Sequence, residues 1–176
     1  MKDARNKLIN LLQKAYSGEM AAALAYNGHW KSLKNNAEIR SVRKIERDEW
    51  RHRARIREIL FELKAEPLFS REILFYLIGR IVGFICHFCG NFLASFFAAM
   101  VENQNVREYA LASEYAEKIG LEEFLDDFIE MEKTESEHEL ILREMIKDYR
   151  IFPVFAFIFR WGNSADFILK KQNARF

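Results

Sequence analysis

The stretch VRKIERDEWRHRARIREILFEL, residues 42–63, decides the fold that the sequence predicts. Its apolar side chains recur in alternating steps of three and four residues, the spacing of one face of an α-helix. Glu49 and His52 interrupt this apolar face at its middle, three residues apart and in phase with it. Side chains three apart on a helix lie about 5–6 Å from each other at Cβ, so both are predicted to point into the core. The face consists of Val42, Ile45, Glu49, His52, Ile56, Ile59 and Leu63.

Three further stretches show helical periodicity, at residues 3–33, 85–119 and 121–149. With only 7 Gly and 2 Pro in 176 residues, an all-β sandwich or barrel with its frequent turns is disfavoured. Four long helices are typical of a bundle, and the short connections make helices one and two, and three and four, antiparallel. The longer connection between helices two and three contains an apolar stretch, residues 71–84, that acts as a crossover. The residues predicted to bound the helices are Asp3, Asn35, Pro67, Ser70 and Gly120.

Each predicted helix carries one glutamate at the middle of its apolar face. In the second and fourth helices a histidine follows that glutamate three residues later, giving the motifs EWRH and ESEH. Four carboxylates in a dry core repel one another and lose their hydration, so cations must compensate for them. Four carboxylates and two histidines form the ligand set of a di-iron or di-manganese bundle. The predicted metal ligands are Glu19, Glu49, His52, Glu102, Glu135 and His138.

The spacing of these residues indicates an internal repeat. Glu19 and Glu102 are 83 residues apart, and the two Glu-x-x-His motifs are 86 residues apart. Tyr26 and Tyr109 each follow the lone glutamate of their half by seven residues, two helical turns along the same face, where a phenol can hydrogen-bond a ligand. A single Glu-x-x-His is common on solvated helix faces. Two of them in phase with a core face, with two matched glutamates, favour a dinuclear metal site over coincidence or a degenerate site.

Other polar residues are weaker candidates. Carboxylates that fall off the apolar faces are expected on the surface, and these are Glu46, Asp48, Glu132, Glu137 and Glu139. His29 is expected to pack against the bundle or lie at the surface. His87, in the apolar run, is interpreted as a lone partnered histidine, with a place near a substrate entrance as the alternative.

The composition excludes several classes of protein. The 27 basic and 26 acidic residues give a net charge of +1, which argues against a nucleic-acid-binding protein. Apolar residues make up 50% of the chain, which excludes a disordered protein. Helix two is basic and helix four acidic, so they compensate each other across the bundle, or helix two faces an anionic lipid surface. Cys86 and Cys89 form a lone C-x-x-C pair, too few thiols for a four-cysteine metal site, and are interpreted as packing thiols or a redox dithiol.

Several stretches together resemble one family. Residues 17–28 read SGEMAAALAYNG, the two Glu-x-x-His motifs follow, and the glycine-punctuated apolar residues 79–90 lead into Ala-Met-Val-Glu102 and Tyr109. In this order they resemble the demethoxyubiquinone hydroxylase family, the di-iron hydroxylases of ubiquinone biosynthesis in the ferritin-like superfamily. The similarity covers most of residues 12–145. The chain departs from the family at Glu108, where histidine is usual, and at His29, where glutamine is usual, and residues 152–176 match no family pattern.

The resemblance implies a single ferritin-like di-iron domain over residues 1–176, with metal-site halves at about 3–63 and 86–149. It implies that two iron ions, held by the six ligands, activate O2 and insert one oxygen atom into an organic substrate. Tyr26 and Tyr109 are then catalytic groups beside the ligands or the substrate. Manganese is the alternative metal. An external electron donor is required, because the sequence lacks a Rossmann fingerprint, a flavin motif and a rubredoxin module.

Phenylalanines mark the apolar segments and indicate the kind of substrate. Of 16 Phe, eight lie in residues 61–97 and six in residues 152–176. Residues 81–101 carry no charge and are long enough to cross a bilayer, but polar and glycine interruptions, and the direct run into Glu102, favour a membrane-facing helix. We expect segments at about 70–85 and 152–169 to attach the protein peripherally to the cytoplasmic side of a membrane, while a homodimer interface is the competing use of this surface. Small side chains before Glu102 leave a channel or simply pack in the core; they are Ala94, Ser95, Ala98 and Ala99.

The predicted function is therefore a peripheral membrane di-iron monooxygenase acting on a quinone-like or other lipidic aromatic substrate. A rubrerythrin- or ferritin-like oxidase or peroxidase without an organic substrate is the alternative. A third hypothesis is a non-catalytic lipid-binding bundle with a vestigial site. The expected partners are a hydrophobic small molecule, O2, an electron donor and a membrane surface, with no nucleic acid.

Overall fold

The computed structural model describes residues 2–161, and all regular secondary structure within them is helical. Five α-helices follow one another, with a 3-10 turn at Glu122–Phe124 before the fourth. They are α1 (Lys2–Ser32), α2 (Asn36–Glu62), α3 (Phe69–Ile119), α4 (Leu125–Ile146) and α5 (Phe152–Ile158). The predicted all-α, ferritin-like four-helix bundle with an added apolar crossover is confirmed.

Two of the predicted helix boundaries have the expected geometry. The Asn35 side chain accepts hydrogen bonds from the backbone N–H groups of Ala37 and Glu38, at 2.8 and 3.4 Å, and so caps α2. Gly120 ends α3 in the left-handed region, with φ of 73°. Helix α2 ends at Glu62, so the chain has already left the helix when it reaches Pro67.

Other boundaries were predicted wrongly. Asp3 lies inside the first turn of α1 instead of capping it, because the helix already includes Lys2. Ser70 lies inside α3, whose cap position is occupied by Leu68. Helix α4 is shorter than residues 121–149, since the 3-10 turn occupies its start and it ends at Ile146.

The crossover and the third bundle helix form one long helix with a break at Gly90. Gly90 has φ of 76° and ψ of 163°, a conformation that side chains with a Cβ rarely adopt. The predicted break near Ile85 was therefore five residues early. We call residues 69–89 the first half of α3 and residues 91–119 the second half.

The first half of α3 lies in close contact with α1 through glycines. A Cβ added at Gly28 would lie 2.1 Å from the Gly83 carbonyl oxygen, and one added at Gly79 would lie 2.6 Å from the Ala21 carbonyl oxygen. Only glycine permits backbones to approach this closely. Gly83, one of the glycines that interrupt the apolar run, is thus with Gly79 part of the packing surface of α3 against α1.

The second half of α3 completes the bundle with α1, α2 and α4. Two apolar clusters fill its interior, one around Leu12, Ile59 and Phe128 and the other around Ile45, Ala99 and Leu142. Along each helix the predicted glutamate ligand lies between residues of the two clusters. The fold therefore holds a polar layer between two dry layers, at mid-height of the bundle.

Opposite charges on α2 and α4 do meet across the bundle. Arg55 binds Asp127 with two hydrogen bonds, of 2.8 and 2.7 Å, and Arg51 lies 3.8 Å from Glu130. Part of the basic charge of α2 is thus compensated within the chain, as one of the two interpretations predicts.

Helix α5 packs its aromatic side chains on the second half of α3. The Phe155 ring lies 5.2 Å from Phe92 and 5.3 Å from Phe96, and the Phe159 ring lies 5.4 Å from Phe97. Such edge-to-face ring pairs are favourable beyond the area they bury. The remainder of the predicted C-terminal apolar segment, residues 162–169, lies outside the described residues.

Candidate metal centre

The structure brings all six predicted metal ligands together in the polar layer. Each is at most 3% exposed. Donor atoms of Glu49, Glu102, Glu135 and His138 lie within 4.8 Å of one another, and those of Glu19, His52 and Glu135 form a second group within the same distance. Glu135 belongs to both groups, so the arrangement can hold two adjacent cations that share one carboxylate.

Many polar atoms in this layer have no hydrogen-bond partner. Within the described residues, the unpartnered buried atoms of the centre are Glu19 Oε2, both carboxylate oxygens of Glu49, His52 Nε2, Glu135 Oε2 and His138 Nδ1. Leaving a buried polar group unsatisfied costs about 1–3 kcal/mol, and more when it is charged. The carboxylate oxygens of this layer, together with one ring nitrogen of each histidine, fit a pair of divalent transition-metal ions.

The two tyrosines hydrogen-bond across the internal repeat. The Tyr26 phenol donates to Glu102 Oε1, and the Tyr109 phenol donates to Glu19 Oε1. Each tyrosine thus donates a hydrogen bond to the lone glutamate of the other half. Asn105 donates from Nδ2 to the second oxygen of Glu102, at 3.0 Å.

Burial and mutual repulsion control the charge of the layer. Burial, followed by the charge of Glu135, raises the pKa of Glu49 and of Glu102 well above the ordinary value. Burial likewise raises the pKa of Glu19. For Glu135, burial is outweighed by hydrogen bonds to His138 and His52, which lower its pKa. In the metal-free chain the carboxyl groups are therefore partly protonated, and metal binding must release protons.

His138 is the most strongly held histidine of the centre. Its Nε2 lies 3.1 Å from Asp48 Oδ2, while its Nδ1 faces Glu49 at 3.2 Å. Burial lowers its pKa, but Asp48 and Glu135 outweigh burial and raise that pKa to about 9. His52 Nδ1 lies 2.9 Å from Glu135 Oε1.

Asp48 was predicted to lie on the surface, and that prediction was wrong. Its carboxylate is 6% exposed, and Lys44 Nζ lies 3.0 Å from the same Oδ2 that faces His138. Asp48 directly precedes Glu49, so it lies on the flank of the inward face. The signal in the sequence is that Asp48 directly precedes the predicted ligand Glu49. Because α2 packs beside α4, a carboxylate at this position can reach the histidine of the other motif.

The remaining weak candidates divide between interior and surface. Glu132 and Glu139 are buried, which corrects their surface assignment, and Glu139 accepts a hydrogen bond of 3.1 Å from the Trp161 indole. Glu46 is half-buried and accepts from Trp30 and Asn27, while Glu137 is exposed as expected. His29 is buried, 3.3 Å from Asn91 Oδ1, and His87 is exposed on the first half of α3.

A groove of about 900 Å³ connects the metal centre with the outer apolar surface. It runs between α1 and both halves of α3 and ends at Glu19, Tyr26, Glu102 and Tyr109. Its walls are apolar or small; they include Ala25, Ile78, Val82, Ile85, Ala94 and Ala98. Of the four small residues predicted to leave a channel, Ala94 and Ala98 line the groove, while Ser95 and Ala99 are buried in the core.

The two cysteines also line this groove. Both are free thiols. Burial, followed by the proximity of Cys89, raises the pKa of the Cys86 thiol to about 11. A thiol with this pKa is protonated at neutral pH, which favours the packing role over the redox dithiol.

A comparison with protein families matches residues 6–151 to the family described as ubiquinone biosynthesis protein COQ7. The match includes all six residues of the metal centre and both tyrosines, and it confirms the resemblance read from the motifs. No curated protein and no solved structure gives a significant match. Because the family match extends over most of the 176 residues, the chain belongs to the COQ7 family of ubiquinone biosynthesis proteins.

Proposed function

We propose that this chain is a peripheral membrane di-iron monooxygenase that hydroxylates a quinone-like or other lipidic aromatic substrate. The COQ7 family is a family of hydroxylases in ubiquinone biosynthesis. The observation that carries the proposal is the apolar groove of about 900 Å³ that meets the carboxylates of a buried Glu/His centre.

The donor set supports iron as the metal. Carboxylate oxygens and imidazole nitrogens suit oxophilic iron, and the six side chains leave coordination positions for other ligands. A bound iron pair supplies O2 activation and the transfer of one oxygen atom to a C–H bond of the substrate. The second oxygen atom leaves as water, which takes two protons and two electrons from an external donor.

The residues of the chain orient the ligands and exclude water. Tyr26 and Tyr109 hold one oxygen each of Glu102 and Glu19, which fixes the direction of these two carboxylates at the end of the groove. The apolar clusters on both sides of the layer keep bulk water away from it. Burial raises the pKa of Glu49 and Glu102, so these carboxyl groups hold protons in the metal-free chain and release them when the metal binds.

The shape of the groove supports a flat ring with a long apolar tail. Ala22 and Ala98 line the groove within one helical turn of Glu19 and Glu102, so small side chains flank these carboxylates. Larger aliphatic side chains of the first half of α3, among them Ile78 and Val82, also line the groove and could contact an apolar tail. Pockets for small molecules commonly combine such apolar walls with a few polar groups at one end.

Exposed apolar side chains support membrane attachment. The exposed fractions of Phe69, Phe84, Phe88 and Phe157 are 80%, 66%, 74% and 84%. Within the described residues α3 is the one helix long and apolar enough to cross a membrane, and 17% of its most apolar window is buried. Its first half nevertheless lies along α1, and Glu72 at its start pairs with Arg53 of α2. We therefore propose that this half contacts the membrane from one side, with a homodimer interface as the competing use.

The alternative function is a ferritin- or rubrerythrin-like oxidase or peroxidase. The same ligand set could oxidise ferrous iron or reduce peroxide without an organic substrate. The groove favours the monooxygenase, because a protein acting only on iron or peroxide has no use for a large apolar cavity at its metal centre.

Purification without removal of lipid, followed by native mass spectrometry and metal analysis, tests the metal content and any bound organic ligand together. The iron-loaded protein is then reduced and given a short-chain demethoxyubiquinone under ¹⁸O₂. We expect two irons per chain and one ¹⁸O atom in the product. Rapid peroxide turnover with no ¹⁸O in any quinone would favour the alternative, and Glu102→Ala should lose both iron and product.

A further inference from the structure

The two groups of donor atoms in the metal centre differ in their members. Donor atoms of four side chains lie within 4.8 Å of one another around His138, whereas those of three side chains do so around His52. Glu135 is common to both, so the difference arises from the other residues. A perfect internal repeat would make the two positions alike. The residues that contact the ligands, however, differ between the two halves.

The histidines are held differently. His138 points Nε2 at the buried carboxylate of Asp48, at 3.1 Å, which leaves Nδ1 facing the cluster. Asp48 is itself held by Lys44 Nζ at 3.0 Å and Arg51 Nη2 at 3.4 Å. A carboxylate behind a ligating histidine fixes its ring and tautomer and makes it a better donor. His52 faces Glu135 of the cluster with Nδ1, at 2.9 Å, and its other ring nitrogen, Nε2, has no hydrogen-bond partner in the described part of the chain.

The sequence explains this difference. The two Glu-x-x-His motifs are 86 residues apart, so the position in the second half that corresponds to Asp48 is Thr134. Threonine provides no negative charge for a histidine. The carboxylate behind the histidine is therefore present in one half only.

The lone glutamate near His138, Glu102, is also held by more hydrogen bonds than the lone glutamate near His52, Glu19. Both oxygens of Glu102 receive a hydrogen bond, one from Tyr26 and one from Asn105. Glu19 receives one from Tyr109, and its Oε2 is unpartnered. The residue three positions after Glu19 is Ala22, whereas Asn105 stands three positions after Glu102.

We infer that the two metal positions are unequal, that the position at His138 binds its ion first and more tightly, and that Asp48 is the residue that positions His138 for this. The position at His52 is then the weaker and more exchangeable one. The inference rests on the dinuclear metal binding in the proposed function but not on the reaction or the substrate.

Anaerobic titration of the metal-free full chain with Fe²⁺, followed by native mass spectrometry, tests the inequality. At one equivalent of Fe²⁺ we expect the one-ion species to exceed the share that two equal, independent positions would give. His52→Gln should keep the tight step and lose the weak one, and His138→Gln should lose the tight step. Equal steps, or the reverse pattern in the two variants, would overturn the inference.

Asp48→Asn tests the positioning residue itself. It should weaken the first step by about 10- to 100-fold, the usual effect of changing a residue behind a ligand, and leave the second step within a few-fold. Glu137→Gln, which changes an exposed carboxylate inside the ESEH motif, is the matched control and should leave both steps unchanged. A folded Asp48→Asn variant, as judged by circular dichroism, with an unchanged first step would contradict the role of Asp48. If that variant does not fold, the histidine pair still decides the order of binding. Wild-type protein that binds no Fe²⁺ would instead contradict the proposed function.

Discussion

Tyr26 on α1 donates its phenol hydrogen bond to Glu102 on α3, so a residue of the first half of the repeat orients a predicted metal ligand of the second half. Tyr109 donates to Glu19 in the opposite direction. The two halves therefore depend on each other for the geometry of the centre, and neither half alone can hold it.

Replacing either tyrosine by phenylalanine tests this crossed arrangement. Tyr26→Phe leaves an oxygen of Glu102 without its donor, which we expect to destabilise the metal-free protein by about 1–3 kcal/mol. The effect on iron binding should be smaller, since the carboxylate remains, while product formation should fall at least several-fold. Urea denaturation and an iron assay measure these two quantities. Tyr76→Phe, at an exposed tyrosine on the first half of α3, is the control and should change neither.

The stability of the metal-free protein should fall as the pH rises from about 6.5 to about 9. The pKa of His138 is raised from the ordinary 6.5 to about 9, so the folded state holds a proton that the unfolded state has released across this range. Stability from a raised pKa is fully present below the unfolded pKa and is lost as the pH rises through the folded pKa. The raised pKa values of Glu49 and Glu102 act in the same direction above the ordinary glutamate pKa of 4.5.

Iron should reverse this dependence, because the metal replaces the protons and its affinity rises with pH. Thermal melts at pH 6 and pH 9, with a chelator and with Fe²⁺ under anaerobic conditions, measure both slopes. A metal-free protein that gains stability between these two pH values would contradict the charge distribution described for the centre.

The close packing of α1 on the first half of α3 gives a prediction about stability. Gly28→Ala places a methyl group 2.1 Å from the Gly83 carbonyl oxygen, so the two backbones must separate. Such overpacking typically costs about 1–3 kcal/mol. Gly18→Ala, on the same helix with no atom within 4 Å of the added Cβ, should instead stabilise the protein by up to about 1 kcal/mol. Opposite signs in urea denaturation are the expected result.

Membrane attachment predicts which exposed phenylalanines matter. Phe88→Lys and Phe157→Lys should each reduce co-sedimentation with phospholipid vesicles several-fold, because each removes an exposed aromatic from the apolar face. Phe61→Lys is the matched control, since Phe61 is 76% exposed but lies near the end of α2. Wild-type protein that ignores vesicles but forms a dimer that the first two substitutions dissociate would assign the surface to a homodimer.

Periodicity was sufficient to predict the four bundle helices and the meeting of the six predicted ligands in one layer. Each helix carries its glutamate in phase with a core face, and a helix of period 3.6 has one way to bury that face. Sequence could not reveal the break at Gly90, because the conformation of a glycine in an apolar run depends on what the chain packs against afterwards. The burial of Asp48 was missed for a related reason. Its own helix places it on the flank, and it is α4 that covers it.

A substitution that fills the groove distinguishes a monooxygenase with an organic substrate from an oxidase or peroxidase without one. Ala94 lines the groove but is none of the predicted metal ligands, so Ala94→Phe should fill part of the groove and leave the donors of the centre in place. A monooxygenase should then keep two irons per chain and lose quinone hydroxylation by at least about 10-fold, the effect of about 1.4 kcal/mol. Peroxide or ferrous-iron turnover, which involves small reactants, should persist in the same variant. Ala54→Phe, at an exposed position on α2, controls for the added ring. Equal loss of hydroxylation and iron would indicate that the substitution distorts the bundle, and unchanged hydroxylation would show that the substrate reaches the centre by another path.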